Sequence, residues 1–204
     1  MRKIIVSNMI SLDGFIAGPN GELDWHLADE EFEKRAADML NTVDTILFGR
    51  VTYEGMASYW PTAVTSPTGT LYTEGTKIRV PTQASKIHTE IAHKMNTLSK
   101  IVFSRTLEKV DWNNSKLLKG INKQEIMEMK QQPGKDMVIL GGGDILSTFM
   151  ELDLIDEYRI FVNPVVLGGG KPMFKYLGKR YKLNLVETKI FGSGLVGLYY
   201  RPEK

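Results

Sequence analysis

The chain reads as a single α/β domain: a three-layer α/β/α sandwich on one mixed sheet, closed by a C-terminal antiparallel hairpin. Three observations carry this reading. Short apolar runs alternate with amphipathic stretches along most of the 204 residues, an order that puts helices on both faces of a largely parallel sheet. Met137, Val138, Ile139 and Leu140 form one continuous apolar run. Gly141, Gly142 and Gly143 follow at once, and Ile145, Leu146, Phe149 and Met150 then recur at helical spacing, so a buried strand turns directly into a helix. Finally, Leu183 to Ile190 and Leu195 to Tyr200 are strand-like and meet through Phe191-Gly192-Ser193-Gly194, a hairpin connection.

Composition narrows the function classes. Residues 1–204 suit one domain, and 42% hydrophobic with 25% charged residues fits a real core under an ordinary surface. A net charge of +2 is too small to argue for nucleic acid or an anionic membrane as the main partner. The absence of cysteine excludes disulfides, thiolate metal sites and a cysteine nucleophile. His26, His88 and His93 are scattered, so no metal site is expected. The apolar run after Met1-Arg2-Lys3 ends at Val6, too short for a signal peptide, and no segment approaches the ~18 apolar residues of a membrane helix. The expectation is a cytoplasmic protein acting on a small molecule.

Taken in order, residues 3–10 form a first strand, ended by the turn chemistry of Ser11-Leu12-Asp13-Gly14. Gly18-Pro19-Asn20-Gly21 is a second break before Trp25. Asp29 can cap the next helix, whose stripe is Phe32, Ala36, Met39 and Leu40. Asp44 to Phe48 is a short strand, and Gly49-Arg50-Val51-Thr52 opens a helix through Tyr53, Met56 and Ala57. A cation at a helix N-terminus is disfavoured by ~0.3–1 kcal/mol unless an anion compensates, so Arg50 points to phosphate.

Residues 61–82 carry three prolines, several threonines, Gly69 and Gly75, the composition of a loop or lid inserted over a site. Ile87, Ile91 and Met95 mark a helix that leaves His88 and His93 in solvent. Lys100 to Phe103 is a strand stopped by Ser104-Arg105-Thr106; a brief strand at 116–118 and a helix near 121–130 follow. Leu140 to Ile145, with Asp144 in the first turn, present backbone amides at a helix N-terminus, where unpaired N–H groups and the dipole attract anions. Leu146 stands where the dinucleotide fingerprint needs its third glycine, so the glycines fit a different frame. Likewise Gly168-Gly169-Gly170-Lys171-Pro172 is not a P-loop, because Pro172 replaces the required hydroxyl. Three strand ends with anion-binding chemistry suggest one ligand lying across the sheet edge.

Five motifs then resemble a known family: I-S-L-D-G-F-I-A (10–17), F-G-R-V-T-Y-E (48–54), S-R-T (104–106), G-G-G-D (141–144) and I-D-E-Y-R-I-F-V-N-P-V-V-L-G-G-G-K-P (155–172). In that order they identify the chain as similar to the dihydrofolate-reductase-like superfamily, in the branch of the C-terminal reductase domain of bacterial bifunctional deaminase-reductases of riboflavin synthesis. The resemblance implies a stand-alone domain without the zinc deaminase partner, whose P-C-x-x-C signature is missing. It also implies NADPH over the strand ends. Gly49, Arg50, Val51 and Thr52 would hold phosphate, with Leu140, Gly141, Gly142, Gly143, Asp144 and Ile145. Ser104 and Arg105 would meet the 2′-phosphate, and Ile16 the nicotinamide. Asp29 would stand near the catalytic carboxylate of the superfamily, its plain alternative being a helix cap. Asn8, Phe32, Phe161 and Asn163 are taken as the substrate wall, and a homodimer follows by analogy. The expected activity is NADPH-dependent reduction of a pyrimidine of the riboflavin route or of a pteridine. The alternative is a non-catalytic nucleotide-binding or sensing domain that kept the cleft.

Overall fold

The computed structural model describes residues 1–63, 69–73, 76–80, 86–175 and 177–203. In chain order its elements are β1 (Ile4–Ile10), β2 (Phe15–Ala17), α1 (Glu30–Thr42), β3 (Val43–Gly49), α2 (Arg50–Ala63), β4 (Gly69–Thr73), β5 (Thr76–Val80) and α3 (Lys86–Thr97). There follow β6 (Ser99–Phe103), β7 (Ser115–Leu118), α4 (Lys123–Gln131), β8 (Asp136–Leu140), α5 (Gly143–Glu151), β9 (Glu157–Val162), β10 (Lys171–Pro172), β11 (Leu183–Ile190) and β12 (Val196–Pro202). No described helix is long and apolar enough to cross a membrane.

One eight-stranded sheet runs β11-β12-β9-β1-β8-β3-β6-β7. From β9 to β7 neighbours pair in parallel, while β12 is antiparallel to both β9 and β11. The sheet is therefore mixed and closes on its antiparallel end, as expected.

Side chains alternate across this sheet because the strand period is two. Ile4, Val6, Leu47 and Ile139 face α4 and α5, packing with Ile126, Leu146 and Phe149. Ile5, Ile46, Phe48 and Val138 face α1, α2 and α3, packing with Leu40, Tyr53, Ile91 and Met95. Each such side chain contributes roughly 1.5–3 kcal/mol by leaving water, and both layers are nearly solvent-free. That two-faced burial explains the continuous apolar run of β8.

The register sets the site. β3 and β8 are parallel neighbours, yet α2 leaves β3 onto one face and α5 leaves β8 onto the other. Ligands of open α/β sheets bind in the crevice such a switch point leaves beyond the carboxyl ends of the strands.

Two expectations need correction. The 61–82 stretch is not simply loop: α2 continues to Ala63, and β4 pairs with β5 as an antiparallel hairpin. Its remaining residues, 64–68, 74–75 and 81–82, lie outside the described residues. His88 is not in solvent. Residues 88, 91, 92 and 95 form the buried face of α3. The His88 Nε2 lies 2.9 Å from the Tyr59 hydroxyl, and the ring stacks on Trp60. His93 is exposed.

Candidate functional site

The glycine turn after β8 can be built only from glycine. Gly141 and Gly142 both have φ +66°, a left-handed conformation that side chains rarely adopt. A Cβ on Gly141 would stand 2.7 Å from the Thr52 Oγ1, and one on Gly142 2.7 Å from the Ile145 Cγ2. The turn is thus pressed against both α2 and α5. Gly142 is the N-cap of α5, and no side chain caps that helix. From the other strand, a Cβ on Gly49 would touch Ile145 at 3.5 Å. The N-termini of α2 and α5 therefore meet where β3 and β8 end.

Asn8 ties this turn to β1. Its Oδ1 accepts a hydrogen bond from the Gly141 amide at 2.6 Å, which fixes the orientation of the side-chain amide. Its Nδ2 is then buried with no acceptor among the described residues, in a residue only 5% exposed. The Thr52 hydroxyl makes no hydrogen bond with another described residue, and it lies against Gly141. Leu140 packs with the α1–α3 layer and Ile145 with the other, so both offer the cleft backbone rather than side chain.

Arg50 and Arg105 behave differently from one another. Arg50 Nη1 pairs with Glu54 Oε2 at 2.9 Å, one turn on, with both side chains nearly half exposed. Glu54 therefore offsets part of the penalty that pointed to phosphate, and Val51 is a half-buried residue of the same turn. Ser104 is buried, and its Oγ accepts from the amides of Thr106 (3.2 Å) and Leu107 (3.0 Å). It shapes the loop that leaves Arg105 exposed, with no ion pair among the described residues.

The two longest motifs hold each other. Asp13 accepts from the Ser11 hydroxyl (2.6 Å) and from the amides of Gly168 (2.8 Å) and Leu167 (3.2 Å). The Ser11 bond, then those amides, keep its carboxyl below the usual range. β2, with Ile16 half-buried against the core, pairs with β10 through Ala17–Lys171 and Phe15–Pro172. The second glycine run is thus the counterpart of the Asp13 turn.

Asp29 is a helix cap. Its Oδ1 accepts from the Phe32 amide at 2.8 Å and its Oδ2 from the Ser193 amide at 3.0 Å. Burial raises its pKa, but hydrogen bonds from Ser193 and Phe32 outweigh it and hold the carboxyl below its ordinary value. The side chain tends to stay ionised.

The four residues taken as a substrate wall do not share one. Asn8 lies opposite Ile160 on the α5 face of the sheet, whereas Met9 lies opposite Phe161 on the α1 face. Phe161 meets Phe32 edge to face at 5.0 Å, within a cluster with Phe191 and Tyr199. Asn163 is fully buried; its Oδ1 accepts from the Leu27 amide at 2.8 Å and its Nδ2 donates to the Ile10 carbonyl at 3.1 Å. Asn163 is therefore an internal clip between the loop before α1 and the end of β1.

Two groups escaped the sequence reading. Lys175 reaches Asp144 at 3.0 Å from the chain beyond β10, a contact no local spacing announces. Burial pushes the His26 imidazole down to about 4, and its Nε2 has no partner among the described residues; a lone histidine in a loop gave no warning of this.

Comparison with known proteins bears on this geometry. Residues 2–197 match the model of the RibD C-terminal domain. The uncharacterized protein YyaP of Bacillus subtilis (strain 168) is 35% identical over 199 residues, covering 98% of this chain and 94% of its own. Among solved structures, a Shewanella sp. PV-4 protein described as a candidate for riboflavin biosynthesis has a TM-score of 0.69 at 23% identity, covering 99% of both chains. Dihydrofolate reductase from Enterococcus faecalis, complexed with NADP(H), has a TM-score of 0.60 at 15% identity, covering 99% of this chain and 97% of its own. The last two share the fold. With the family model spanning nearly the whole length, the chain belongs to the RibD C-terminal domain family.

Proposed function

We propose that the protein is an NADPH-dependent reductase of a small heterocycle, either a pyrimidine of the riboflavin route, such as 5-amino-6-(5-phosphoribosylamino)uracil, or a pteridine. The observation that carries this reading is the meeting of the α2 and α5 N-termini at a glycine turn, where backbone amides and the Asn8 side chain offer donors. The Asn8 Nδ2 is buried without an acceptor, and no side chain caps α5. Such a donor set suits the diphosphate of a dinucleotide, and neither Gly141 nor Gly142 can carry a side chain that would block it. Arg105, exposed beside Ser104, suits the ribose 2′-phosphate. When bound, the cofactor supplies the hydride. The residues of the chain hold its phosphates and orient its reactive end towards β1 and Ile16. Family membership and the riboflavin and dihydrofolate reductase neighbours support the substrate class.

The test is NADPH oxidation, followed by absorbance, against a panel of ribosylaminopyrimidines and pteridines. Turnover of one class is expected. Tight NADPH binding with no oxidation across the panel favours the second reading, a nucleotide-binding domain without turnover. One observation speaks for that alternative. Asp29, the candidate proton donor, has both oxygens engaged by backbone amides and is held ionised, the reverse of what a general acid needs.

A further inference from the structure

Beyond β10 the chain folds back over the first turn of α5. The Ser147 Oγ, which donates within hydrogen-bond range of the Gly143 carbonyl, also lies 2.9 Å from the Lys175 carbonyl, fastening that residue to the helix. The Lys175 Cε lies 3.2 Å from where a Cβ on Gly143 would stand. Its side chain is only 23% exposed, while that of Asp144, its partner at 3.0 Å, is 88% exposed. A lysine is thus packed onto the positive end of a helix dipole, where cations are disfavoured. Its one acid partner among the described residues stands in water, where ion pairs are weak. A second cation is close, because Lys171 loses basicity first through burial and then through the charge of Lys175, with Glu22 opposing. At the other side of the same turn, the buried Asn8 amide nitrogen has no acceptor. The packed Lys175 ammonium and the Asn8 amide nitrogen, at either side of one helix N-terminus, suit an acceptor-rich anion.

We propose that Lys175 is a phosphate-binding residue, closing with the α5 amides, Thr52 and Asn8 a cradle for the diphosphate bridge of the dinucleotide, and that Asp144 is the competitor the phosphate displaces. The proposal rests on the cofactor reading above and adds to it a residue and a division of labour. The diphosphate is common to NADPH and NADH, so Lys175 sets affinity for both. Arg105 sets the choice between them.

The experiment titrates NADPH, NADH and inorganic pyrophosphate into the wild type, Lys175→Gln and Asp144→Asn at low and high salt, with thermal melting of each protein. Lys175→Gln is expected to weaken both dinucleotides by the same factor, about tenfold for a partly exposed charge-assisted contact. It should also weaken pyrophosphate and flatten the salt dependence. Asp144→Asn, which keeps Lys175 and removes its competitor, is expected to tighten all three. Unchanged affinities in Lys175→Gln, or weaker binding in a folded Asp144→Asn, overturn the proposal. If Lys175→Gln melts early, the Asp144→Asn arm decides, since a purely structural pair gives no gain in affinity. Pyrophosphate binding that needs Lys175, without binding of either dinucleotide, supports the phosphate residue and overturns the nicotinamide reading. Binding of none of the three by the wild type overturns both.

Discussion

Where β8 and β3 end, among the described residues, the Thr52 hydroxyl has no hydrogen bond, Arg105 has no ion pair, the Asn8 Nδ2 has no acceptor, and no side chain caps α5. Around Asp29 and Asn163, by contrast, both carboxylate oxygens and both ends of the carboxamide are engaged inside the protein. The two regions carry the same kinds of residue and lie along the same edge of the domain. What separates them is whether the polar groups are already satisfied. Internal partners suit residues that build the walls, whereas a buried donor left unpaired costs about 1–3 kcal/mol, which on the proposed reading the ligand recovers at Asn8.

The strongest way to break this contrast is Gly142→Val. A β-branched residue would sit at φ +66° with its Cβ 2.7 Å from the Ile145 Cγ2. Backbone strain and overpacking each cost ~1–3 kcal/mol. A loss of roughly 2–5 kcal/mol in stability together with lost NADPH binding is therefore expected from melting and titration. Full stability would show that the turn is not packed as described.

His26 and the Ser193 hydroxyl are exceptions within the engaged region, and acid tests the first. Its pKa is lowered in the folded protein from 6.5 to about 4. The unfolded chain therefore takes up a proton that the folded one refuses as the pH falls from 6.5 to 4. Stability should fall over that window by about 3 kcal/mol and be complete above it. His26→Gln should remove most of the slope in urea unfolding measured at stepped pH. An unchanged slope would place the acid sensitivity elsewhere.

Arg105→Ala sharpens the contrast by isolating one free group. A preference for NADPH over NADH of about tenfold is expected in the wild type, the low end for a charged hydrogen bond because the side chain is exposed. The variant should lose the preference and keep its NADH affinity. Equal affinities in the wild type would discard the assignment.

The smallest effect is expected from Asp29→Asn. Asparagine caps helices well, so stability should change by less than about 1 kcal/mol and turnover by only a few-fold. A fall in turnover of ~10²–10⁴ with NADPH affinity intact would instead make Asp29 a proton donor.

Local signals carried most of the fold into the sequence. The apolar run of β8, the glycine turn and the α5 stripe are neighbours in the chain, so the organising junction was legible, as was the closing hairpin. The turns after β3, β6 and β8 were legible as turns for the same reason, since each is a contiguous motif. The grouping of Asn8, Phe32, Phe161 and Asn163 depends on register between strands distant in sequence. Nothing local shows that Asn8 faces Ile160 while Met9 faces Phe161, so residues of opposite faces were grouped together. Lys175 was hidden likewise, because only the fold-back beyond β10 brings it over Gly143. The β4–β5 hairpin was masked by the Pro, Gly and Thr content of its surroundings, although Leu71, Tyr72, Ile78 and Val80 are good strand formers.

Calorimetric titration of NADPH and NADH into the wild type and Thr52→Val, with melting curves for both proteins, tests the cradle most directly. Valine keeps the shape of threonine and removes only a hydroxyl that holds no described residue, so the melting temperatures should coincide. NADPH and NADH should both bind the variant about 2- to 10-fold more weakly, the worth of one neutral hydrogen bond. Equal affinity for the two proteins at equal stability would contradict a phosphate site between the N-termini of α2 and α5.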